Sequence, residues 1–146
     1  MTDSTAQAKA SGLWLWLPVL IWGAMMFTFS SSLFTASNTS KILEPILHWL
    51  LPGAGAATIG VSEMLVRKAA HFTEYCVLFY LLIRGPMAGR PYAAFMICVV
   101  WAALDETHQM FVPGRSPSAY DVALDSTGAL FGSFLSVAIS ELLATS

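Results

Sequence analysis

Three short stretches of this chain hold most of the side chains able to move protons or grip an anion. The first is Arg67-Lys68-Ala69-Ala70-His71-Phe72-Thr73-Glu74-Tyr75 and the second Asp105-Glu106-Thr107-His108-Gln109. The third brings Arg115, then Asp121 and Asp125. On a helix Lys68, His71 and Tyr75 fall at i, i+3 and i+7 and share one side, with Glu74 beside His71. Asp105 and Gln109 are four apart, as are Asp121 and Asp125, so each pair shares a face. An imidazole among carboxylates suits general acid–base work, because imidazole titrates near neutrality. A guanidinium grips phosphate through two parallel hydrogen bonds, and a lysine adds a compact charge. The set therefore fits an anionic substrate. Arg115 and Lys68 would hold it, and His71, oriented by Glu74, would be general base or nucleophile. Asp105 or Glu106 would be the complementary acid, Gln109 would position the substrate, and Asp121 and Asp125 would orient Arg115 and Lys68.

Each residue also has a plainer reading. Arg67 reads as a side chain that snorkels to head groups, with its stem on apolar surface, and Lys68 could do the same. Asp105 and Glu106 could form a structural pair with Arg115 and Lys68. Asp121 could serve near a helix N-terminus, where a carboxylate suits the dipole; Asp125, one turn deeper, has no such explanation. His108 points off the Asp105–Gln109 face and is left out of the site, and His48 reads as interfacial. His71, Glu74, Asp105 and Asp121 could supply N and O ligands to a divalent metal. Their spacing matches no recognised metal motif, and no cofactor is expected.

What must position these residues follows from composition. The chain has 146 residues, 56% of them hydrophobic and only 11% charged, against about 45–50% and about 25% in ordinary globular domains. So few charges cannot cover a small water-soluble body, and lipid must cover part of it. The net charge of −2 and the lack of a basic run exclude a nucleic-acid binder. Cys76 and Cys98 sit in apolar stretches and read as buried free thiols rather than a disulfide or a metal site.

The chain reads as one domain over 1–146, an all-α integral membrane four-helix bundle. Residues 1–11 read as a disordered tail. Spans are expected at about 13–34, 66–84, 92–109 and 120–143, each near the roughly 20 residues that cross about 30 Å of hydrocarbon. Trp14 and Trp16 suit an interfacial belt at the start of the first span. Between spans one and two, Ile42, Leu43, Ile46, Leu47, Leu50 and Leu51 recur at helical spacing and predict a short amphipathic interfacial helix. Pro52-Gly53 and Gly55 break it. In the fourth span Gly128, Gly132 and Ser136 fall four apart, the small-residue stripe that lets helices approach closely in lipid. Lys9, Arg84 and Arg90 put both termini and the loop after span two in the cytoplasm, by the positive-inside bias. Alternation then collects the start of span two, the end of span three and the start of span four at the outer face. With Arg84 at the opposite interface, Glu74 lies about 15 Å and His71 about 20 Å from it at 1.5 Å per residue. A charge facing lipid there costs at least about 2.5–3.5 kcal/mol, so these residues must face one another or a polar hollow.

Three linked strings also carry a resemblance. Lys68-x-x-His71-Phe72-x-Glu74-Tyr75, Asp105-Glu106-x-x-Gln109-x-Phe111-x-Pro113-Gly114-Arg115 and Asp121-Val122-x-x-Asp125-x-x-Gly128-x-x-x-Gly132 resemble the VanZ-like family of small bacterial membrane proteins, in its order and spacing. The likeness covers the latter half of the chain. The family pattern commonly has Asn where Asp125 stands. The resemblance implies a multi-span protein of the bacterial inner membrane, associated through the family's namesake with resistance to the lipoglycopeptide teicoplanin. It does not supply a reaction. Two functions stay open: an enzyme acting on a phospholipid or lipid-linked envelope precursor, and a non-catalytic protein that binds a lipid head group or the antibiotic. A proton-coupled transporter would also use buried His and acids, but four spans without a repeat would have to work as a homo-oligomer.

Overall fold

The computed structural model describes residues 12–113 and 118–145. The expected disordered tail and Arg115 lie outside the described residues. Among those described, the chain is all-α, with no strand. Its five helices are α1 (Leu17–Ser30), α2 (Ala36–Leu50), α3 (Ala56–Arg84), α4 (Pro91–Gln109) and α5 (Ala119–Ala144), with a 3-10 turn at Ser32–Phe34.

The boundaries follow local chemistry. Pro18 sits in the first turn of α1 and Pro91 opens α4, where a missing N–H has no helical partner to lose. The apolar run expected to continue to Phe34 stops as α-helix at Ser30. Serine hydroxyls compete there for backbone groups: Ser31 turns extended, and its side chain accepts from the Leu33 N–H. The Thr35 side chain then accepts from the Asn38 N–H and starts α2. Gly53 at φ +89° and Gly89 at φ +73° make the two turns that require the left-handed region.

The largest departure from expectation is α3, which begins at Ala56 rather than near Val66. Its extra turns have a partner. α2 folds back on them, Leu47 and Ile59 are buried, and Ser40 Oγ donates to Glu63 Oε2 at 2.7 Å. The predicted amphipathic helix is α2, and past Pro52-Gly53 it forms a hairpin with the added turns of α3.

The other four arms alternate in direction. Leu15 lies against Gly85, and Trp22 Nε1 donates to the Glu74 carbonyl at 3.0 Å, so α1 runs antiparallel to α3. Gly128 meets Phe72 and Gly132 meets Cys76, so α3 and α5 run parallel and in direct contact. That contact is backbone on backbone. A Cβ on Gly128 would stand 2.3 Å from the Phe72 carbonyl oxygen, and one on Gly132 would stand 2.6 Å from that of Cys76. The core gathers Tyr75, Leu78, Phe79 and Leu82 of α3 against Ala94, Cys98 and Ala102 of α4 and Ala129 of α5. Both cysteines are free and buried.

The exterior is apolar while carboxylates lie inside. Val100 and Leu104 on α4, and Phe131 and Phe134 on α5, are exposed, whereas Asp105, Glu106 and Asp125 are buried. A water-soluble fold would be arranged the other way round. Two helices, Gly12–Ser30 and Ala119–Ala144, are long and apolar enough to cross a membrane, with mean hydropathy 1.6 and 1.5. The other two expected spans fall below that level, since α3 carries Glu63, Arg67, Lys68, His71 and Glu74, and α4 ends in Asp105, Glu106, His108 and Gln109.

The glycine contact is testable. Gly128→Leu should destabilise the fold by about 1–3 kcal/mol through overpacking. Gly60→Ala, in the same α3 but with nothing within 4 Å of its added methyl, should be neutral or stabilising by up to about 1 kcal/mol. Thermal melts of the detergent-solubilised protein, followed by circular dichroism, would separate the two.

Candidate functional site

The start and middle of α3, the end of α4 and the start of α5 bring the ionisable residues to one end of the helix assembly. Lys68 on α3 makes an ion pair with Asp121 on α5, and both are partly exposed. One turn further in, His71 Nδ1 lies 3.8 Å from Asp125 Oδ1. Asp125 is fully buried, and among the described residues neither of its oxygens accepts a hydrogen bond. The Tyr75 hydroxyl, one turn beyond His71, is likewise buried without a hydrogen-bond partner among them. The charges of Asp105, Glu106, Glu74 and Asp121 all act on Asp125, and those of Asp125, Asp105 and Glu74 reach Tyr75. The carboxylates therefore share one region.

The end of α4 supports this region from the side. Gln109 Nε2 donates to Asp105 Oδ2 at 3.0 Å, one helical turn apart and both buried. Glu106 Oε2 accepts from the Ser118 backbone N–H at 2.7 Å. The Ser118 side chain in turn accepts from the Tyr120 N–H and caps α5. Glu106 thus ties the end of α4 to the start of α5, which fixes where Asp121 and Asp125 enter the site.

A cavity of about 200 Å³ lies on the other side of His71. It is lined by Phe29, Phe34, Thr39, Arg67, Ala70, His71 and Glu74. Arg67 Nη1 stands 3.7 Å from Glu63 Oε2, an ion pair, but makes no hydrogen bond among the described residues. His71 is consequently the residue between the buried Asp125 and the cavity. Nδ1 is the ring nitrogen that faces Asp125. Among the described residues, no three of His, Cys, Asp and Glu converge as metal ligands would; His71, Glu74, Asp105 and Asp121 do not form such a set.

Of the residues singled out from sequence, His71 and Glu74 line the cavity. Lys68, Asp121 and Asp125 form the ion pairs behind it, and Asp105, Glu106 and Gln109 lie against that layer. Asp125 faces His71 rather than Lys68. Arg115 is outside the described residues. Sequence reasoning missed Arg67, set aside as a snorkelling side chain. The signal was there: Arg67, His71 and Glu74 stand at i, i+4 and i+7, one face of a helix. It also missed Phe29 and Phe34, which reach the site from a distant segment and carry no local mark. His108 stacks on Phe27, with ring centroids 4.5 Å apart, and belongs to the α1–α4 contact.

Replacing Gln109 by Leu would leave the buried Asp105 carboxylate without its donor. The expected cost is about 1–3 kcal/mol, read as a lower melting temperature; Gln109→Glu would place two acids together and should be worse.

Residues 15–140 match the model of the family described as VanZ/LLP1. No curated protein and no solved structure matches the chain. The match takes in α1 to α4, all of α5 but its last four residues, and the three strings of ionisable residues, and two of those helices are apolar enough to cross a bilayer. This chain is a membrane protein and belongs to the VanZ/LLP1 family.

Proposed function

We propose that the chain is a multi-pass protein of the bacterial cytoplasmic membrane whose His71 cavity takes the anionic head group of a lipid or lipid-linked envelope precursor and exchanges protons with it. The observation that carries this reading is the position of His71, between a fully buried carboxylate and a cavity that also holds Arg67 and Glu74. Phe29 and Phe34 in the same wall suit the apolar stem of such a substrate.

Lengths support four spans. At 1.5 Å per residue, Gly12–Ser30 and α4 extend about 28 Å, α5 about 39 Å and α3 about 43 Å, against about 30 Å of hydrocarbon. The excess in α3 corresponds to the turns that pair with α2, so Glu63 and Arg67 stand near an interface. With Arg84 and Arg90 on the cytoplasmic side, the cavity opens to the outer face, where envelope precursors are used.

In this reading the Arg67 guanidinium grips a phosphate oxygen, exchanging its loose contact with Glu63 for a charge-assisted hydrogen bond. His71 then removes a proton from an attacking water or hydroxyl, and Asp125 stabilises the imidazolium that results. Glu74, on the cavity wall, is placed to return a proton to the leaving group. Lys68 and Asp121 hold α3 and α5 in register, and Asp105, Glu106 and Gln109 are positioning residues. The chemistry is hydrolysis or transfer at a lipid phosphate. A non-catalytic binder is the second reading, favoured by one observation: Glu106 and Gln109 are already engaged by Ser118 and Asp105, which leaves fewer groups to act on substrate. Either form would act at the cell envelope, the setting of the teicoplanin resistance that the family resemblance implies.

Native mass spectrometry of gently extracted protein should find an anionic lipid retained. Arg67→Gln should reduce that retention about tenfold, the loss of one charge-assisted hydrogen bond. For an enzyme, His71→Ala keeps the lipid and ends turnover of it in proteoliposomes. Activity that falls only in step with affinity would favour the binder, and wild-type protein that retains no anionic lipid would refute both.

A further inference from the structure

A second groove lies at the far end of the helices, about 20 Å along α3 from His71 at 1.5 Å per residue. Its volume is about 480 Å³, within the roughly 300–1,000 Å³ of small-molecule sites. Phe79 and Ile83 of α3 and Val137 of α5 give it an apolar wall, and Ser133, Ser136 and Ser140 line the α5 side. The hydroxyls of Ser136 and Ser140 donate to carbonyls of their own helix, at 2.7 Å and 2.8 Å. They therefore present small surfaces rather than unmet donors, and the groove is shaped for hydrocarbon.

Its mouth is charged with both signs. Arg84 and Glu141 line the same groove, and among the described residues no ion pair joins them. Arg84 is held in place by its neighbour. Its Nε donates to Tyr80 Oη at 3.4 Å, and its guanidinium carbon lies 5.6 Å from the Tyr80 ring centre. The two terminal nitrogens remain as a fork of the kind that suits a phosphate. Glu141, exposed on the last turns of α5, offers an acceptor to a cation beside that phosphate.

We propose that this groove binds one zwitterionic aminophospholipid, phosphate on Arg84, primary ammonium on Glu141 and one acyl chain along Phe79, Ile83 and Val137. A purely anionic head group would meet Glu141 as a like charge. A choline head group has no N–H to donate to it. The site is separate from the His71 cavity and is occupied by a structural lipid whatever that cavity does.

The test is lipid retention by the full chain, extracted gently and offered equal amounts of phosphatidylethanolamine, phosphatidylglycerol and phosphatidylcholine, with bound lipid counted by native mass spectrometry. With Arg67→Gln as the parent chain, so that the His71 cavity keeps little anionic lipid, the protein should keep phosphatidylethanolamine about tenfold over the other two, the scale of one charge-assisted hydrogen bond. Glu141→Gln should erase that preference, and Arg84→Gln should lower retention of phospholipid altogether. Glu141→Lys should turn the preference toward phosphatidylglycerol, a gain that a misfolded chain cannot produce. Equal retention of the three by the Arg67→Gln parent, or an unchanged preference when Glu141→Lys is added to it, would overturn the proposal.

Discussion

The interior of this protein is more acidic than its exterior, and the rest of the structure answers to that inversion. Glu74, Asp105, Glu106, Asp121 and Asp125 crowd one end of the helices, while the outward faces of α4 and α5 carry Val100, Leu104, Phe131 and Phe134. A carboxylate inside a low-dielectric body is tolerated only where a partner meets it. The partners present are specific: Lys68 for Asp121, His71 for Asp125, Gln109 for Asp105 and the Ser118 N–H for Glu106. Each joins residues from different helices or successive turns. The polar contacts that face the acids are thus also contacts that set the helices against one another.

Such an arrangement needs helices that approach closely, and the chain supplies them with small residues. Gly128 and Gly132 let α5 rest on the α3 backbone at Phe72 and Cys76, within a turn or two of the His71–Asp125 pair. Ala94, Cys98 and Ala102 do the same for α4. Without that proximity the short side chain of Asp125 would not reach α3. The His71–Asp125 pair and the packing therefore draw on the same few positions, and the imidazole is oriented by a helix contact as much as by a side chain.

Much of this was legible in the sequence because it rests on helical periodicity. The helical class, the α4 and α5 limits to within a residue or two and the Gly128–Gly132 stripe came from spacing alone. Alternation of the helices added the gathering of the Lys68–Glu74, Asp105–Gln109 and Asp121–Asp125 stretches at one end. What spacing could not give was pairing. Asp125 was expected to orient Arg115 and Lys68, yet it faces His71, because a four-residue rise places it one turn deeper than the lysine head can follow. Arg67 was set aside, since an arginine at a membrane edge usually reaches for head groups. The start of α3 was placed ten residues late, because Ala56–Leu65 is mixed in character and its helicity depends on α2 lying against it. Phe29, Phe34 and Trp22 come from a remote segment, and remote contacts leave no periodic trace.

The parallel contact between α3 and α5 bears on how the chain is made. α5 leaves the ribosome well after α3, yet it carries the partners of His71 and Lys68 and the glycines that seat beside Phe72 and Cys76. If α3 spans the bilayer as proposed, its basic face waits there until α5 arrives, with its complement still unsynthesised. In that topology a half-built polar interior has to be sheltered until α5 is made, and the arrival of α5 is the event that makes α3 lipid-compatible.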